Sequence, residues 1–276
     1  MAASTPSVAS ASIKSLPASA PAPAMGGSAS SSANRAAWSG LGLEAPPPDP
    51  VGEVVLDVAL HVGTLAAVAL YFRKDVVELI VGGVALLTGK RDGPARLAWL
   101  VLVATIPAFL AGALLKGFIT DNLRGLEVIA WTTLIFGLLL GWADRQTTTL
   151  RIDALNWKSA LAVGAFQACA LIPGVSRSGA AMTAGRWFGL DRQESARFAL
   201  LLALPTIAGA GALAGKDLIE ADATLGVDAA IGALLAFFAA YAAIWLMMRW
   251  LKSASFMPFV VYRVILGFVL LWLAYG

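Results

Sequence analysis

One stretch of the sequence, Pro173-Gly174-Val175-Ser176-Arg177-Ser178-Gly179, interrupts a long apolar segment and decides how the chain folds. An apolar run leads into it from residue 159, and a second short run leaves it and ends at residue 190. Pro173 disfavours helical geometry in Ile172, and Gly174 is free to adopt a positive φ. The pattern predicts two half-helices that meet at a polar turn.

The composition places most of the chain in a membrane. Of 276 residues, 59% are hydrophobic and 13% are charged, which excludes an ordinary soluble globular domain. Residues 1–50 differ from the remainder, because they are rich in Ala, Ser and Pro and hold only four charged residues. We expect a low-complexity, disorder-prone segment over residues 1–50 and a polytopic membrane domain over residues 51–276.

Several apolar runs are long enough to be transmembrane helices, since a bilayer core takes roughly 20 helical residues. Uncharged runs are Leu97 to Leu115, Phe198 to Gly215 and Ala229 to Met248. Weaker candidates are Val54 to Phe72, Val76 to Gly89, Val128 to Ala143 and Met257 to Gly276. The prediction is an all-α integral membrane protein with about six transmembrane helices plus re-entrant half-helices.

Loop charges predict an orientation, because cytoplasmic loops carry an excess of Lys and Arg. The loops at 73–96, 144–158 and 249–252 are basic, whereas the loop at 216–228 is acidic and is expected outside. A weak internal repeat relates residues 95–114 to residues 196–213. It is compatible with duplicated halves, although chance in an Ala- and Leu-rich chain explains it about as well.

The arginine in the polar turn requires a counter-charge. An arginine at bilayer depth costs on the order of 3 kcal/mol, so it persists beside an anion or in a wet cavity. Ser176 or Ser178 is placed to cap the second half-helix, whose N-terminus offers free N–H groups. Together these groups describe a phosphate or diphosphate site. The alternative, that Arg177 pairs with a carboxylate or snorkels to lipid head groups, leaves the broken helix unexplained.

The counts of cysteine, histidine and net charge exclude several other classes. With Cys169 as the only cysteine, no intrachain disulfide forms, and His61 as the only histidine has no cysteine partners for zinc. Twenty basic and 17 acidic residues leave a small net charge, and the basic residues stand between apolar runs. Phospholipid, and not nucleic acid, is the expected neighbour.

The residues around the turn resemble a known family. The stretch from Gln167 to Gly179 is similar to the second signature of the bacterial undecaprenyl-diphosphatases, also called bacitracin-resistance proteins. The resemblance continues through residues 198–205 and through residues 259–263 with Gly267. Upstream it includes residues 56–65 and Tyr71-Phe72-Arg73-Lys74-Asp75. It covers roughly residues 51–276, and Pro-Gly-x-Ser-Arg-Ser-Gly is highly specific.

This resemblance implies hydrolysis of a C55 polyprenyl diphosphate to the monophosphate, which recycles the lipid carrier of cell-wall synthesis. It also implies an inner-membrane enzyme of bacteria with inverted repeats, each holding a re-entrant hairpin, and it leaves room for a homodimer. A divalent cation, Mg²⁺ or Ca²⁺, is expected. In the family the arginine matching Arg177 binds the diphosphate, and the neighbouring serines line the same pocket.

The family's first signature is missing from this sequence. A Glu-x-x-x-Glu pair and a Ser-Ser-Ser-Gly-His type turn should lie just before residue 51, but the acids there are Glu44 and Asp49, and Ser30-Ser31-Ser32 is not followed by Gly-His. Those carboxylates and that histidine are the expected metal ligands and the nucleophile or general base. No metal ligand is therefore assigned. Three explanations are open for residues 1–50: an organellar transit peptide, a natural tail on a family member that lost activity, or an artefact of a shifted reading frame or a wrong start codon. We favour the artefact.

Other polar residues have simpler interpretations. Asp57 and His61 are four apart on one helical face, which favours a mutually satisfied pair inside the bundle over a proton relay. Gln167, about three turns before the arginine, either faces the same pocket or bonds a neighbouring helix. The basic cluster of Arg186, Arg192 and Arg197 is explained by head-group contacts.

The leading hypothesis is a hydrolase of undecaprenyl diphosphate, with Arg177 and Ser176 as catalytic residues. Gly174, Ser178, Gly179 and Gln167 are predicted to contact the substrate. The alternatives are a lipid-phosphate carrier or flippase, since transporters also place broken helices at anion sites, and an inactive relative that only binds lipid diphosphate.

Overall fold

The computed structural model describes residues 50–90, 92–220 and 226–276. The described residues belong to one compact unit. Within the described ranges the regular structure is helical, and the only β-type pairing there is an isolated bridge between Leu150 and Leu190. The predicted all-α class is confirmed for this part of the chain, and the segment expected over residues 1–50 lies almost entirely outside it.

The helices of the described part are numbered in chain order. They are α1 (Pro50–Tyr71), α2 (Arg73–Leu87), α3 (Pro94–Asn122), α4 (Leu126–Asp144), α5 (Trp157–Ala168), α6 (Arg177–Trp187), α7 (Arg192–Glu220), α8 (Val227–Trp250) and α9 (Met257–Tyr275). Two 3₁₀ turns, Ile152–Ala154 and Cys169–Leu171, stand before and after α5.

Five helices are long and apolar enough to cross a bilayer, and they contain Val54–Tyr71, Pro94–Leu115, Leu126–Asp144, Val227–Trp250 and Met257–Tyr275. Helix α2 has 15 residues and is too short. The uncharged run that begins at Phe198 lies in α7, whose side chains from residue 213 onward are outside the described set. The described residues therefore give five candidate spans where the sequence predicts about six.

The two half-helices α5 and α6 pack in the interior of the compact unit. Helix α3 lies against α5, while α6 contacts α4, α5 and α7. The approach of α5 to α3 is close, since a Cβ added to Gly164 would stand 1.9 Å from the carbonyl oxygen of Ala104. Val163, Phe198 and Leu201 belong to the buried core around these helices. In the turn between α5 and α6, Val175 is buried, whereas Leu171 and Ser176 are exposed.

The loops predicted to be cytoplasmic lie together at one end of the helices. Arg197 of α7 pairs with Asp75 of α2, and its Nη1 lies 3.1 Å from Glu194 Oε1. The second oxygen of Glu194 accepts the N–H of Ile152 at 3.0 Å. Residues of the loops at 73–96 and 144–158 therefore meet at the start of α7, which agrees with the charge-based orientation.

The head-group interpretation of Arg186, Arg192 and Arg197 is wrong. Arg186 is only 2% exposed, and Arg192 Nε lies 2.5 Å from the buried carboxylate of Asp144. All three guanidinium groups are held by acceptors inside the protein. The sequence shows the three positive charges but not the carboxylates that the fold brings to them from α2 and α4.

Helices α3 and α7 resemble each other in length and in the position of an internal proline. Each has 29 residues, with Pro107 thirteen residues after the start of α3 and Pro205 thirteen residues after the start of α7. These two helices contain the two copies of the weak internal repeat in the sequence.

Candidate active site

The backbone leaves helical geometry at the turn, as the sequence predicts. After α5 and one 3₁₀ turn, Ile172 is extended, with φ −76° and ψ 123°. Gly174 has φ +91° and Ser176 has φ +69°, and α6 then begins at Arg177. The pre-proline effect on Ile172 and the positive φ of Gly174 are both confirmed.

Gly174 cannot carry a side chain in this turn. A Cβ there would stand 2.2 Å from Thr132 Oγ1 and 2.5 Å from the carbonyl oxygen of Ile129, both in α4. The positive φ adds strain for any residue other than glycine. The turn therefore rests directly on α4, with no room for displacement toward that helix.

Ser176 is the only residue other than glycine with a positive φ among the described residues. Such a conformation costs about 1–3 kcal/mol and occurs often at functional sites. Its Oγ accepts the N–H of Gly179 at 3.2 Å, so Ser176 is the N-cap of α6. Of the two serines that the sequence offers as caps, the structure selects this one.

Two threonines of α4 hold the carbonyl groups of the turn. Thr132 Oγ1 lies 2.6 Å from the carbonyl oxygen of Pro173, and Thr133 Oγ1 lies 3.3 Å from that of Gly174. Neither threonine was predicted, because nothing local in the sequence connects them to residues 41 positions away.

Arg263 of α9 is a third anchor of the same turn. Its Nη2 donates to the carbonyl oxygens of Gly174 at 2.7 Å and Val175 at 3.0 Å. Its Nε is buried and has no hydrogen-bond partner among the described residues. Arg263 was not predicted as a site residue, although an arginine inside an apolar span is a signal that could have found it.

Arg177 is partly buried and retains most of its donor capacity. Its Nη1 donates to Thr206 Oγ1 at 3.3 Å, just after Pro205 in α7. No carboxylate within the described ranges lies close enough to form an ion pair with it. The structure thus provides no support, in this part of the chain, for the alternative that Arg177 pairs with a carboxylate.

The start of α6 adds backbone donors beside this guanidinium. The first N–H groups of a helix have no acceptor within the helix. Ser176 satisfies those of Gly179, through its hydroxyl, and Ala180, through its carbonyl. The N–H groups of Arg177 and Ser178 are left without a protein acceptor in the described part. Arg177, Ser178 and Gly179 are therefore brought together at one helix end.

Gln167 is buried on α5 with no partner for its amide. The residue is 2% exposed, and neither Oε1 nor Nε2 has a hydrogen-bond partner among the described residues. The sequence suggests two roles for Gln167, contact with the pocket or a hydrogen bond to a neighbouring helix. The hydrogen bond is not found among the described residues. An unpaired buried amide is costly, so this side chain is available to a ligand or to water.

The opposite end of α6 is occupied by a closed network around Asp144. Asp144 Oδ2 accepts the N–H of Phe256 at 3.0 Å, and Oδ1 accepts from Arg192. Arg186 donates to Thr148 and to the carbonyl oxygens of nearby residues. Burial lowers the pKa of the Arg186 guanidinium and Arg192 lowers it further, while Asp144 opposes both. Arg186 thus has a structural role.

The pair formed by Asp57 and His61 is present, but not where the sequence analysis expects it. His61 Nδ1 lies 3.5 Å from Asp57 Oδ1, yet the side chains are 49% and 71% exposed. The expectation of a pair inside the bundle is wrong for the described part of the chain, because this face of α1 points away from its helix neighbours there.

The residues that the structure describes do not fit a divalent cation. None of them form a group of three His, Cys, Asp or Glu side chains that could hold a metal ion. Asp144 and Glu194, beyond the opposite end of α6 from Arg177, are engaged by arginines and backbone N–H groups. The ligands expected from the first signature would precede residue 51, almost wholly outside the described ranges.

Fold and site together define a helical membrane protein with an arginine at the start of an interior half-helix. Comparison with protein families identifies which one: residues 30–269 match the family of the bacitracin resistance protein BacA. The chain belongs to this family.

Several relatives are similar over most of their length. An undecaprenyl-diphosphatase of Jannaschia sp. (strain CCS1) is 52% identical over 225 residues, which are 80% of this chain and 84% of that protein. An undecaprenyl-diphosphatase of Ruegeria pomeroyi is 50% identical over 227 residues, covering 80% of this chain and 85% of that protein. Undecaprenyl-diphosphatase 1 of Rhodospirillum rubrum is 51% identical over 225 residues, or 80% of each chain.

The family match begins earlier than the sequence analysis places the resemblance. It starts at Ser30, the first of three consecutive serines, and not near residue 51. Part of the segment taken as unrelated is thus matched by the family model, although residues 30–49 lie outside the described ranges.

Proposed function

We propose that this chain acts as an undecaprenyl-diphosphate phosphatase. In the reaction, the oxygen of a water molecule bonds to the terminal phosphorus, the P–O–P anhydride bond breaks, and the products are the lipid monophosphate and inorganic phosphate. The observation that carries the proposal is Arg177, whose guanidinium has no carboxylate partner in the described part and lies beside free helix N–H groups. Relatives about 50% identical have this activity in their names.

Each residue of the turn has a distinct part in this proposal. Arg177 binds phosphate oxygens and stabilises the charge that develops as the anhydride breaks. Ser178 and the N–H groups at the start of α6 supply further donors. Ser176 fixes the start of the helix, Gly174 permits the turn against α4, and the unpaired amide of Gln167 orients substrate or water. Arg263 positions the turn through its carbonyl groups.

The same proposal includes the architecture expected of the family. Five candidate spans, the paired half-helices and the matching prolines of α3 and α7 support about six transmembrane helices with re-entrant hairpins in an inverted repeat. A bacterial inner membrane is the proposed location. A homodimer and a Mg²⁺ or Ca²⁺ ion are also proposed on the resemblance alone, with ligands that the described residues do not supply.

The function is tested by phosphate release from a polyprenyl diphosphate by the full-length chain in detergent with Mg²⁺ or Ca²⁺. We expect release, and an Arg177→Ala variant should lower its rate at least 100-fold, as for loss of a main transition-state donor. Arg124→Ala, which removes an exposed charge between α3 and α4, is the matched control and should retain the rate. Equal release by both variants would overturn the assignment of Arg177.

A binding protein without activity is the second candidate, because the described residues hold no metal-competent group and the first signature is missing. It is distinguished by binding of the diphosphate lipid without release, with binding lost in Arg177→Ala. Translating the DNA upstream of codon 51 in three frames supplies the complementary test. Glu-x-x-x-Glu and Ser-Ser-Gly-His in another frame would mean that the gene encodes the complete enzyme. If a protein with the complete N-terminus released no phosphate, the result would favour a lipid-phosphate carrier.

A further inference from the structure

A second polar cavity lies at the end of α6 that is remote from Arg177. Its volume is about 390 Å³, and its walls come from the end of α4, the junction of α6 and α7, and the residues after α8. Asp144 in its wall is eleven residues beyond Thr133, which contacts the turn, so the two places are about 16 Å apart along α4. The cavity is therefore separate from the candidate active site.

Each carboxylate in the cavity wall accepts at least one hydrogen bond from the protein. Both oxygens of Asp144 are bonded, to Arg192 and to the N–H of Phe256. Asp191 Oδ1 accepts the N–H of Glu194 at 2.8 Å. Four basic residues line the same cavity against these two acids, so the wall is net positive.

Two of the four basic residues have no ionic partner. Arg145 and Lys252 are exposed, and neither forms an ion pair with any residue in the described ranges. A third, Arg186, is buried in the wall, and its Nε has no hydrogen-bond partner in the same ranges. The cavity thus combines two exposed cations that have no ionic partner in those ranges with a buried guanidinium whose Nε lies 3.9 Å from Asp144 Oδ1 and donates no hydrogen bond there.

The depth of the cavity matches that of lipid phosphates. Arg145 directly follows α4 and Lys252 lies just beyond α8, and both helices are candidate spans. Trp142 and Trp250, each about half exposed, stand within a few residues of these cations. Exposed tryptophans mark the membrane interface, and the basic loops mark this face as cytoplasmic.

We propose that this cavity binds the phosphate of an anionic phospholipid, with Arg145 and Lys252 on the phosphate oxygens. The acyl chains then run along the exposed apolar faces of α4 and α8, where Leu138 and Leu246 lie. The recognised chemistry is a phosphate ester or a free phosphate, and the lipid is preferred because of the interfacial tryptophans. The site does not depend on the proposed hydrolysis.

The test measures the thermal unfolding midpoint of the full chain in a zwitterionic detergent, during titration with short-chain phosphatidylglycerol. Parallel titrations use short-chain phosphatidylcholine and inorganic phosphate. We expect phosphatidylglycerol to raise the midpoint with saturation, and the R145Q/K252Q double variant to weaken its apparent Kd about 25-fold. That value assumes about fivefold for each basic side chain at an anionic surface.

The matched control is the R73Q/K90Q double variant, which removes the same charge from exposed residues at the same end but outside this cavity. It should bind phosphatidylglycerol as the unaltered chain does. Equal loss in both double variants, or no loss in R145Q/K252Q, overturns the site. Equal protection by inorganic phosphate alone overturns the lipid as its ligand, and equal protection by phosphatidylcholine overturns charge recognition.

Discussion

The two ends of α6 each carry a buried or partly buried arginine, but the protein treats them differently. Arg186 donates to Thr148 and to main-chain carbonyl groups beside the carboxylate of Asp144. Arg177, nine residues earlier, has one bond to a threonine hydroxyl and no carboxylate in the described part. The difference separates an arginine whose donors are engaged by the protein from one whose donors are available to the ligand proposed above.

Removing the guanidinium at the structural end should have the largest effect. We expect Arg186→Gln to lower the free energy of unfolding by about 3 kcal/mol, because it breaks a buried ionic network and leaves several acceptors without a donor. Denaturant titration in detergent measures this. Arg192→Gln, at a side chain that is 36% exposed, is the control and should cost less. Unchanged stability in Arg186→Gln would remove the distinction between the two ends.

The next largest effect should be confined to the ligand end. Gly174→Ala puts a Cβ into contact with Thr132 and Ile129, so the turn has to move by about 1 Å. We expect phosphate release to fall about 100-fold, as displacements of that size do in active sites. Gly211→Ala, where a Cβ meets nothing within 4 Å, is the matched control. Normal release by Gly174→Ala would show that the position of the turn is not critical.

Arg263 extends the comparison. It contacts the turn at the Arg177 end of α6, yet its guanidinium donates to main-chain carbonyl groups, as that of Arg186 does. We expect Arg263→Gln to lower kcat about tenfold with a smaller change in KM, since the turn loses an anchor but Arg177 remains. Arg263→Lys keeps a donor for the carbonyl groups of Gly174 and Val175 and should restore part of kcat. Steady-state kinetics with both variants measures this, and an equal loss in Gln and Lys would argue against positioning through those carbonyl groups.

The smallest effect concerns the strained cap. Ser176→Ala removes the cap hydroxyl and keeps the positive φ, so we expect a loss of about 1 kcal/mol. Ser176→Gly also removes the hydroxyl but relieves the strain, and it should be at least as stable as the original chain. Thermal midpoints of the two variants provide the comparison. A glycine variant less stable than the alanine variant would show that φ at this position is not strained.

The local part of this site could be predicted from the sequence, because it follows from rules that act within a few residues. Pro173 and Gly174 predict the break, and a serine before Arg177 predicts the cap. The apolar runs likewise predict the helices, since hydrophobic length alone limits what can cross a bilayer.

The anchors of the site could not be predicted, because they come from distant helices. Arg263 reaches Gly174 across 89 positions, and Thr132 reaches Pro173 across 41. For the same reason the prediction that Arg186 contacts lipid head groups was wrong, since its partner Asp144 belongs to another helix. The charge of a residue and the hydropathy around it show that its burial costs free energy. Only the packing of the helices shows which groups form hydrogen bonds or ion pairs with it.

The 3₁₀ turn that opens the break begins with Cys169, the only cysteine of the chain. The unaltered protein is therefore already a single-cysteine protein, with a half-buried thiol eight residues before Arg177. A fluorophore or spin label attached there would report on the turn without any background from other positions. Spectroscopy on this site can thus begin with the natural sequence.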